Sequence, residues 1–271
     1  MRWNVPLNGK TVFITGGTGG IGRPLVSLLY HVGASLLVYS SRQHGDLVAN
    51  IDNVCSWLGR NPPDILINMA GVNAVDYCEN QDLEGIIALN LMVPMRLTQA
   101  VLPWMKARGS GHIVQMGSMT ALIPLPHQTG YVAAKAGLKG FNDALRRELG
   151  GSNIALTHIV PRAVQTRMNH GASDEINRRT GVHSDDPVAV AERIVKAIAR
   201  REKEVRFGWP ERLFAVLNAN LPAVIDMGLQ KNRTVGEEVL SGGRAQYGQQ
   251  QQRDGGLGSI GGGFISRPLR T

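Results

Sequence analysis

The run Thr15-Gly16-Gly17-Thr18-Gly19-Gly20-Ile21-Gly22 constrains the fold of this chain more than any other segment. Lys10 to Thr15, just before it, is a short apolar stretch of strand type. Just after it, apolar residues recur at 21, 25, 28, 29 and 32, the spacing of a helix. A strand, a glycine turn and a helix in that order leave the helix N-terminus facing the turn. Its backbone N–H groups and dipole can hold a pyrophosphate there. Gly16, Gly20 and Gly22 let the backbone approach such a ligand without a Cβ in the way. Glycines alone leave a plain structural turn open as the alternative.

Strand and helix signals then alternate, which predicts an α/β, Rossmann-like, doubly wound parallel sheet covered on both faces. Strands are expected at Ser35–Tyr39, Asp64–Asn68, His112–Gly117, Asn153–Val160 and Val205–Gly208, beside the first at Lys10–Thr15. The passage from Arg42 to Asp64 has room for one helix, at 46–59, and a crossover with its helix already takes about a dozen residues. Six strands are therefore expected, with the second near an edge. Long helices are read at 82–108, 130–149 and 187–201. Residues 167–186 are polar and irregular, a lid in position. Glu211 to Leu229 carries apolar residues at helical spacing, and Pro222 must kink or divide it. Packing against the domain or a second subunit, a membrane-surface contact and a lid over an apolar substrate are its three readings. From about residue 231 the composition turns to Gly and Gln without periodicity, which reads as a disordered tail to 271. Residues 1–230 form the single predicted domain.

At 271 residues the chain can bury a large core. Cys55 and Cys78 are too few for a disulfide framework. Polar residues interrupt the N-terminus, and no run of about twenty apolar residues stands out, so a cytoplasmic location without a spanning helix is expected. The formal charge is +8, but the arginines are scattered and aromatics make up only 5%. Nucleic acid would call for clustered cations with interleaved aromatics. A basic surface that attracts an anionic cofactor or an acidic carrier protein fits better, with plain solvated charge as the alternative. No metal-ligand spacing is present.

Four polar residues downstream carry the chemistry: Asn90, Ser118, Tyr131 and Lys135. Tyr131 and Lys135 are one helical turn apart and share a face. A lysine ammonium about 4 Å from a tyrosine hydroxyl, at an effective dielectric of about 20, favours the phenolate by roughly 4 kcal/mol. That is roughly three pKa units before screening, which predicts a tyrosine poised near working pH. Ser118, at the end of its strand, can hold a substrate oxygen. Taken singly, Asn90 could instead bond a backbone carbonyl and kink its helix, and Ser118 could be an ordinary strand-end hydroxyl.

The Thr-Gly-x-x-x-Gly-x-Gly turn, Asn68-Met69-Ala70-Gly71, Ser118, Tyr131-x-x-x-Lys135 and Pro161-Arg162-Ala163-Val164-Gln165-Thr166, in this order, resemble the short-chain dehydrogenase/reductase family. The resemblance spans about Lys10 to Gly208. It implies Tyr131 as general acid or base, Lys135 on the nicotinamide ribose, Ser118 orienting the substrate oxygen, and Asn90 holding a relay water. The implied cofactor contacts are Gly16, Thr18, Gly19, Gly20, Ile21, Gly22, Asn68, Ala70, Gly71, Pro161, Val164 and Thr166, besides Tyr131 and Lys135. Ser40, Ser41 and Arg42 stand where an NAD enzyme has an acid, so NADP(H) is expected over NAD(H). Asp46 is assigned to the adenine side. Two departures stand out. Met69 replaces an asparagine, and Arg162 replaces a glycine at the nicotinamide end.

The implied reaction interconverts a ketone and a secondary alcohol. The alternatives are a ketoreductase for 3-oxoacyl groups on a carrier protein or coenzyme A, and a non-catalytic NADP-binding regulator. Met119, Leu122, Ile123 and Leu125 should wall an apolar pocket, with His170, Arg178 and Arg179 meeting an anionic end. Lys106, Arg108, Arg178 and Arg179 are candidates for an acidic acyl carrier. A homodimer or homotetramer follows from family habit, and neither nucleic acid nor membrane contact is expected.

Overall fold

Strand residues here send alternate side chains to opposite faces, and that alternation builds two cores. The computed structural model describes residues 7–169 and 171–254. The elements run β1 (Thr11–Thr15), α1 (Gly22–His31), β2 (Ser35–Tyr39), α2 (Ser41–His44), α3 (Ile51–Arg60) and β3 (Ile65–Asn68). Next come α4 (Leu83–Ile87), a π-helical turn (Ala88–Met92), α5 (Val93–Arg108), β4 (Gly111–Met116), α6 (Thr129–Glu148) and β5 (Ile154–Val160). Then follow α7 (Ala172–Thr180), α8 (Pro187–Arg200), β6 (Glu204–Arg206), α9 (Trp209–Asn220), α10 (Pro222–Gly228) and α11 (Gln230–Asp254).

The six strands form one parallel sheet in the order β2-β1-β3-β4-β5-β6. Val12 and Ile14 of β1 and Ile65 and Ile67 of β3 pack with Leu25 and Leu29 of α1 and Ile194 and Ile198 of α8. Phe13 and Leu66, one residue out of phase, join Leu58 of α3 and Leu97, Val101 and Met105 of α5 on the other face. Period-2 strands buried on both sides against helices are what a doubly wound sheet requires. The chain leaves β1 toward β2 and returns past it to β3, so the connections diverge between β1 and β3. Ligands of such sheets bind at that switch point, outside the carboxyl ends of the strands.

Between β2 and β3 the chain makes the short α2 and then α3, with no strand at 43–50. The sheet therefore ends at β2, as the short passage predicts. Pro222 opens α10 at its first turn and divides the 209–228 segment in two.

Three expectations need correction. The lid region contains a helix, α7, where an irregular segment is expected. Asp174 and Glu175 in its first turn and Arg178 and Arg179 in its last complement the helix dipole, and Gly181 closes it at φ +76°. The tail expected from residue 231 is helical to Asp254, and its early turns bury Val235 and pair Glu238 with Arg179 of α7. Residues 255–271 lie outside the described residues. Third, Leu83–Arg108 is long and apolar enough to cross a membrane by composition, with a mean hydropathy of 1.4 over its best window. Its buried Val93, Leu97, Val101 and Met105 make it a core helix, with Met92 and Trp104 left exposed.

His112 and His158 are buried in the sheet, and burial pushes both down to about 4. Arg201 adds to the effect at His112. The unfolded chain takes up these protons near pH 6.5 and the folded chain near 4, so their contribution is complete above 6.5 and is lost as pH falls toward 4. Neither ring nitrogen of His158 has a hydrogen-bond partner, so an apolar replacement leaves no orphaned group. His158→Leu should therefore shrink the loss of unfolding free energy between pH 6.5 and 5 by roughly 1–2 kcal/mol in urea titrations. An unchanged pH slope would contradict this assignment.

Candidate active site at the carboxyl edge of the sheet

The glycine turn leaves β1 at the switch point and lies directly on the β3 exit. Gly16 adopts φ +73°, and a Cβ there would come within 2.7 Å of the Met69–Ala70 backbone. Only glycine fits both constraints. Thr15 Oγ1 accepts hydrogen bonds from Met69 N and Ala70 N, both at 3.2 Å, and ties the two strand exits together. Gly20 packs on the Thr166 side chain. A groove lined by backbone therefore runs from the α1 N-terminus to the segment after β5.

That groove opens into a cleft of about 750 Å³. Gly16, Thr18, Gly19, Gly20, Ile21 and Gly22 form one end of it, and Ser118, Tyr131, Lys135 and Asn90 lie along it with Gly71, Pro161, Val164 and Thr166. All four chemical residues predicted from sequence thus share one cavity. Its size is within the range of small-molecule sites.

Lys135 is buried, and its Nζ donates to the Met116 carbonyl at 2.9 Å. Burial lowers it to about 8. Its ammonium sits 5.6 Å from the centre of the Tyr131 ring. Burial of the surroundings pushes the Tyr131 hydroxyl up to about 12, against the opposing effect of its hydrogen bond with Ser118. This corrects the expected phenolate. Desolvation is the largest cause of the shift, so Tyr131 is protonated at neutral pH. Ser118 Oγ accepts from Thr120 Oγ1 at 2.8 Å and Thr120 N at 3.2 Å, which leaves its own proton to give.

Asn90 sits in the π-helical turn and is fully buried. Its Nδ2 donates to Val72 O at 2.9 Å and Ile86 O at 3.0 Å, while its Oδ1 has no partner. A Cβ on Gly71 would lie 2.5 Å from that Oδ1 and 3.7 Å from Lys135 Nζ. The unpaired acceptor and the ammonium thus flank one small space, where a donor such as water would be satisfied.

The α6 N-terminus is held from a distance. Gln81 Oε1 accepts from Gly130 N at 2.9 Å and Thr129 Oγ1 at 3.2 Å, one and two residues before Tyr131. No sequence pattern marks Gln81. Arg162, in place of the family glycine, forms a two-pronged ion pair with Asp185 at 3.0 and 2.8 Å and bonds Glu211 of α9 at 3.1 Å. It is absent from the positive-φ residues, so the position does not need glycine here. The replacement ties the 167–186 segment and α9 to the cleft.

Other predicted residues fall elsewhere. Asn68 points away from the cleft and bonds Gln115 Oε1 at 3.1 Å and Pro94 O at 3.3 Å. Ala70 stands beside the glycine turn through its backbone. Ser40, Ser41, Arg42 and Asp46 lie after β2, outside the cleft lining, where Asp46 Oδ1 accepts from Ala49 N at 2.9 Å. Met119, Ile123 and Leu125 wall the cleft, but Leu122 does not. Arg178 and Arg179 also miss it, because they pair with Glu175 and Glu238. His170 lies outside the described residues. Arg23 and Arg167 are the cleft cations that sequence reading passed over. Among the described residues no cluster is suited to a metal.

The model of the short chain dehydrogenase family matches residues 46–177, and that of the KR domain matches 10–61. Ketoacyl reductase HetN of a Nostoc species is 31% identical, over 73% of this chain and 78% of its own. Dehydrogenase/reductase SDR family member 7B of Danio rerio is 29% identical, over 76% and 79%. A solved short chain dehydrogenase/reductase from Burkholderia phymatum, in complex with NAD, superimposes with a TM-score of 0.71 at 18% identity, over 80% of this chain and 95% of its own. One from Burkholderia cenocepacia, in complex with NADP, gives 0.69 at 19%, over 83% and 98%. With the glycine turn, the six-stranded sheet and the Ser118–Tyr131–Lys135 cleft already in place, these likenesses identify the chain as an oxidoreductase of the short-chain dehydrogenase/reductase family.

Proposed function

We propose that this chain is an NADP(H)-dependent oxidoreductase that interconverts a ketone and a secondary alcohol. The observation that carries the reading is the meeting of Ser118, Tyr131, Lys135 and Asn90 in the cleft that the glycine turn begins. A nicotinamide bound there supplies the hydride. The residues hold and move the proton. Tyr131, protonated at neutral pH, gives its proton to the substrate oxygen. Ser118, with its lone pairs engaged by Thr120, donates a second hydrogen bond to that oxygen as charge develops. Lys135 and Asn90 flank the space from which a water can replenish the proton. The glycine turn, Gly71 and Thr166 suit the diphosphate and ribose, since they line the cleft and the glycines add no side chain to it.

The preference for NADP(H) rests on the chain's own residues, because related structures hold either cofactor. Ser41 and Arg42 are exposed at the carboxyl end of β2, the strand paired with β1, and no acid follows that strand directly in sequence. Arg42 suits a 2′-phosphate there. The substrate is a mid-sized, largely apolar carbonyl compound, walled by Met119, Ile123, Leu125 and Phe214. If it has an anionic end, Arg167 is the cleft cation to meet it. The name of the Nostoc relative favours a 3-oxoacyl thioester as the alternative substrate. Against a carrier protein, Lys106, Arg108, Arg178 and Arg179 are each engaged by Glu148, Asp64, Glu175 and Glu238 of this chain.

Tyr131→Phe should retain cofactor affinity and lose turnover by at least about 100-fold, the contribution of one positioned proton donor. NADPH oxidation followed over ketones, 3-oxoacyl thioesters and quinones checks this, and near-normal activity would overturn the assigned mechanism. Arg42→Ala should weaken NADPH binding by about tenfold or more and leave NADH unchanged, as fluorescence titration would read. Equal losses for the two cofactors would refute the role of Arg42.

A further inference from the structure

Helix α9 is occupied on its inner face. Glu211 pairs with Arg162, Phe214 lines the cleft, Ala215 is buried, and Asn218 Nδ2 donates to Leu122 O at 3.0 Å. Its outward face should then be polar, yet Trp209, Leu213 and Val216 stand there at i, i+4 and i+7. Trp209 is 80% exposed and Leu213 58%. Leu221 at the joint and Val224 and Met227 of α10 prolong the row, with Met227 77% exposed. The sequence alone favours burial of these residues. The structure leaves them open, and single exposed apolar residues are ordinary but a continuous row on two successive helices marks a contact surface.

The flanks of the row are basic. Arg212 lies over the Trp209 ring at 6.0 Å, and Lys231 follows α10, on a chain of net charge +8. Glu211 is turned inward onto Arg162, Asp226 lines a groove with Arg233, and Glu237 pairs with Arg233. A bilayer with anionic headgroups would meet the basic flanks with opposite charge and take the Trp, Leu and Val side chains into its interface.

We infer that the α9–α10 face docks this protein on an anionic phospholipid surface. Pro210, Phe214 and Leu229 of the same segment line the cleft, so docking leaves only this segment between the cleft and the bilayer, where an apolar carbonyl substrate would be dissolved. The docking stands independently of activity. The delivery of substrate rests on the function proposed above.

The test is co-sedimentation of the full chain with vesicles of phosphatidylcholine alone or with phosphatidylglycerol at about one part in three. Binding is expected only to the mixed vesicles, and it should fall as salt is raised. Leu213→Asp with Val224→Asp, both outside the cleft lining, should cut the bound fraction at least tenfold with NADPH affinity unchanged. Arg212→Glu with Lys231→Glu should do the same without removing an apolar group. No vesicle binding by the wild type would overturn the inference. So would equal binding to phosphatidylcholine alone, or a wild-type dimer in sedimentation velocity that these variants convert to monomer, which would assign the face to a second copy. Vesicle binding without ketone reduction would leave the docking standing and defeat the proposed function.

Discussion

The buried ammonium of Lys135 and its hydrogen bond to the Met116 carbonyl fix the rest of the site. A charge removed from water is costly unless it is met by polar partners. Here the backbone at the end of β4 meets it, so α6 is pinned to the strand that presents Ser118. One turn earlier on the same helix, Tyr131 is brought to Ser118, and Gln81 secures the helix start. The burial that lowers Lys135 also raises Tyr131. The pair is therefore set up as a proton donor with a charged neighbour, not as a standing phenolate. The second side of the site follows from the switch point, where the glycine turn rests on the Met69–Ala70 backbone and forms one end of the cleft.

Arg162 shows how the chain departs from its family without losing the site. At this position the guanidinium draws Asp185 and Glu211 together. The lid segment and α9 are thereby coupled to the cleft. The same ion pairs turn Glu211 inward, which leaves the outer face of α9 to apolar residues.

Much of this was legible in the sequence because the signals are local. The alternation of Val12, Phe13 and Ile14, the glycine run, and the four-residue spacing of Tyr131 and Lys135 each report a period or a turn. The missing strand was legible too, since 42–64 is too short for a second crossover. Other features depend on partners far along the chain. Nothing near Arg162 points to Asp185 or Glu211, and nothing near Gln81 points to Gly130. Helix α7 was hidden by its low hydrophobicity, although its acidic first turn, basic last turn and Gly181 were available as signals. The glycine- and glutamine-rich composition after residue 231 masked α11. The sign of the Tyr131 shift is not legible in the sequence, because burial is a property of the folded environment and not of the Tyr131–Lys135 spacing.

The most direct test of the central claim follows deuterium from the 4-position of NADPH through a single turnover with a panel of apolar ketones, 3-oxoacyl thioesters and quinones. The account predicts an alcohol carrying the label on its carbinol carbon, with the cofactor oxidised in equal amount. Bound cofactor that keeps its deuterium against every member of the panel would contradict it.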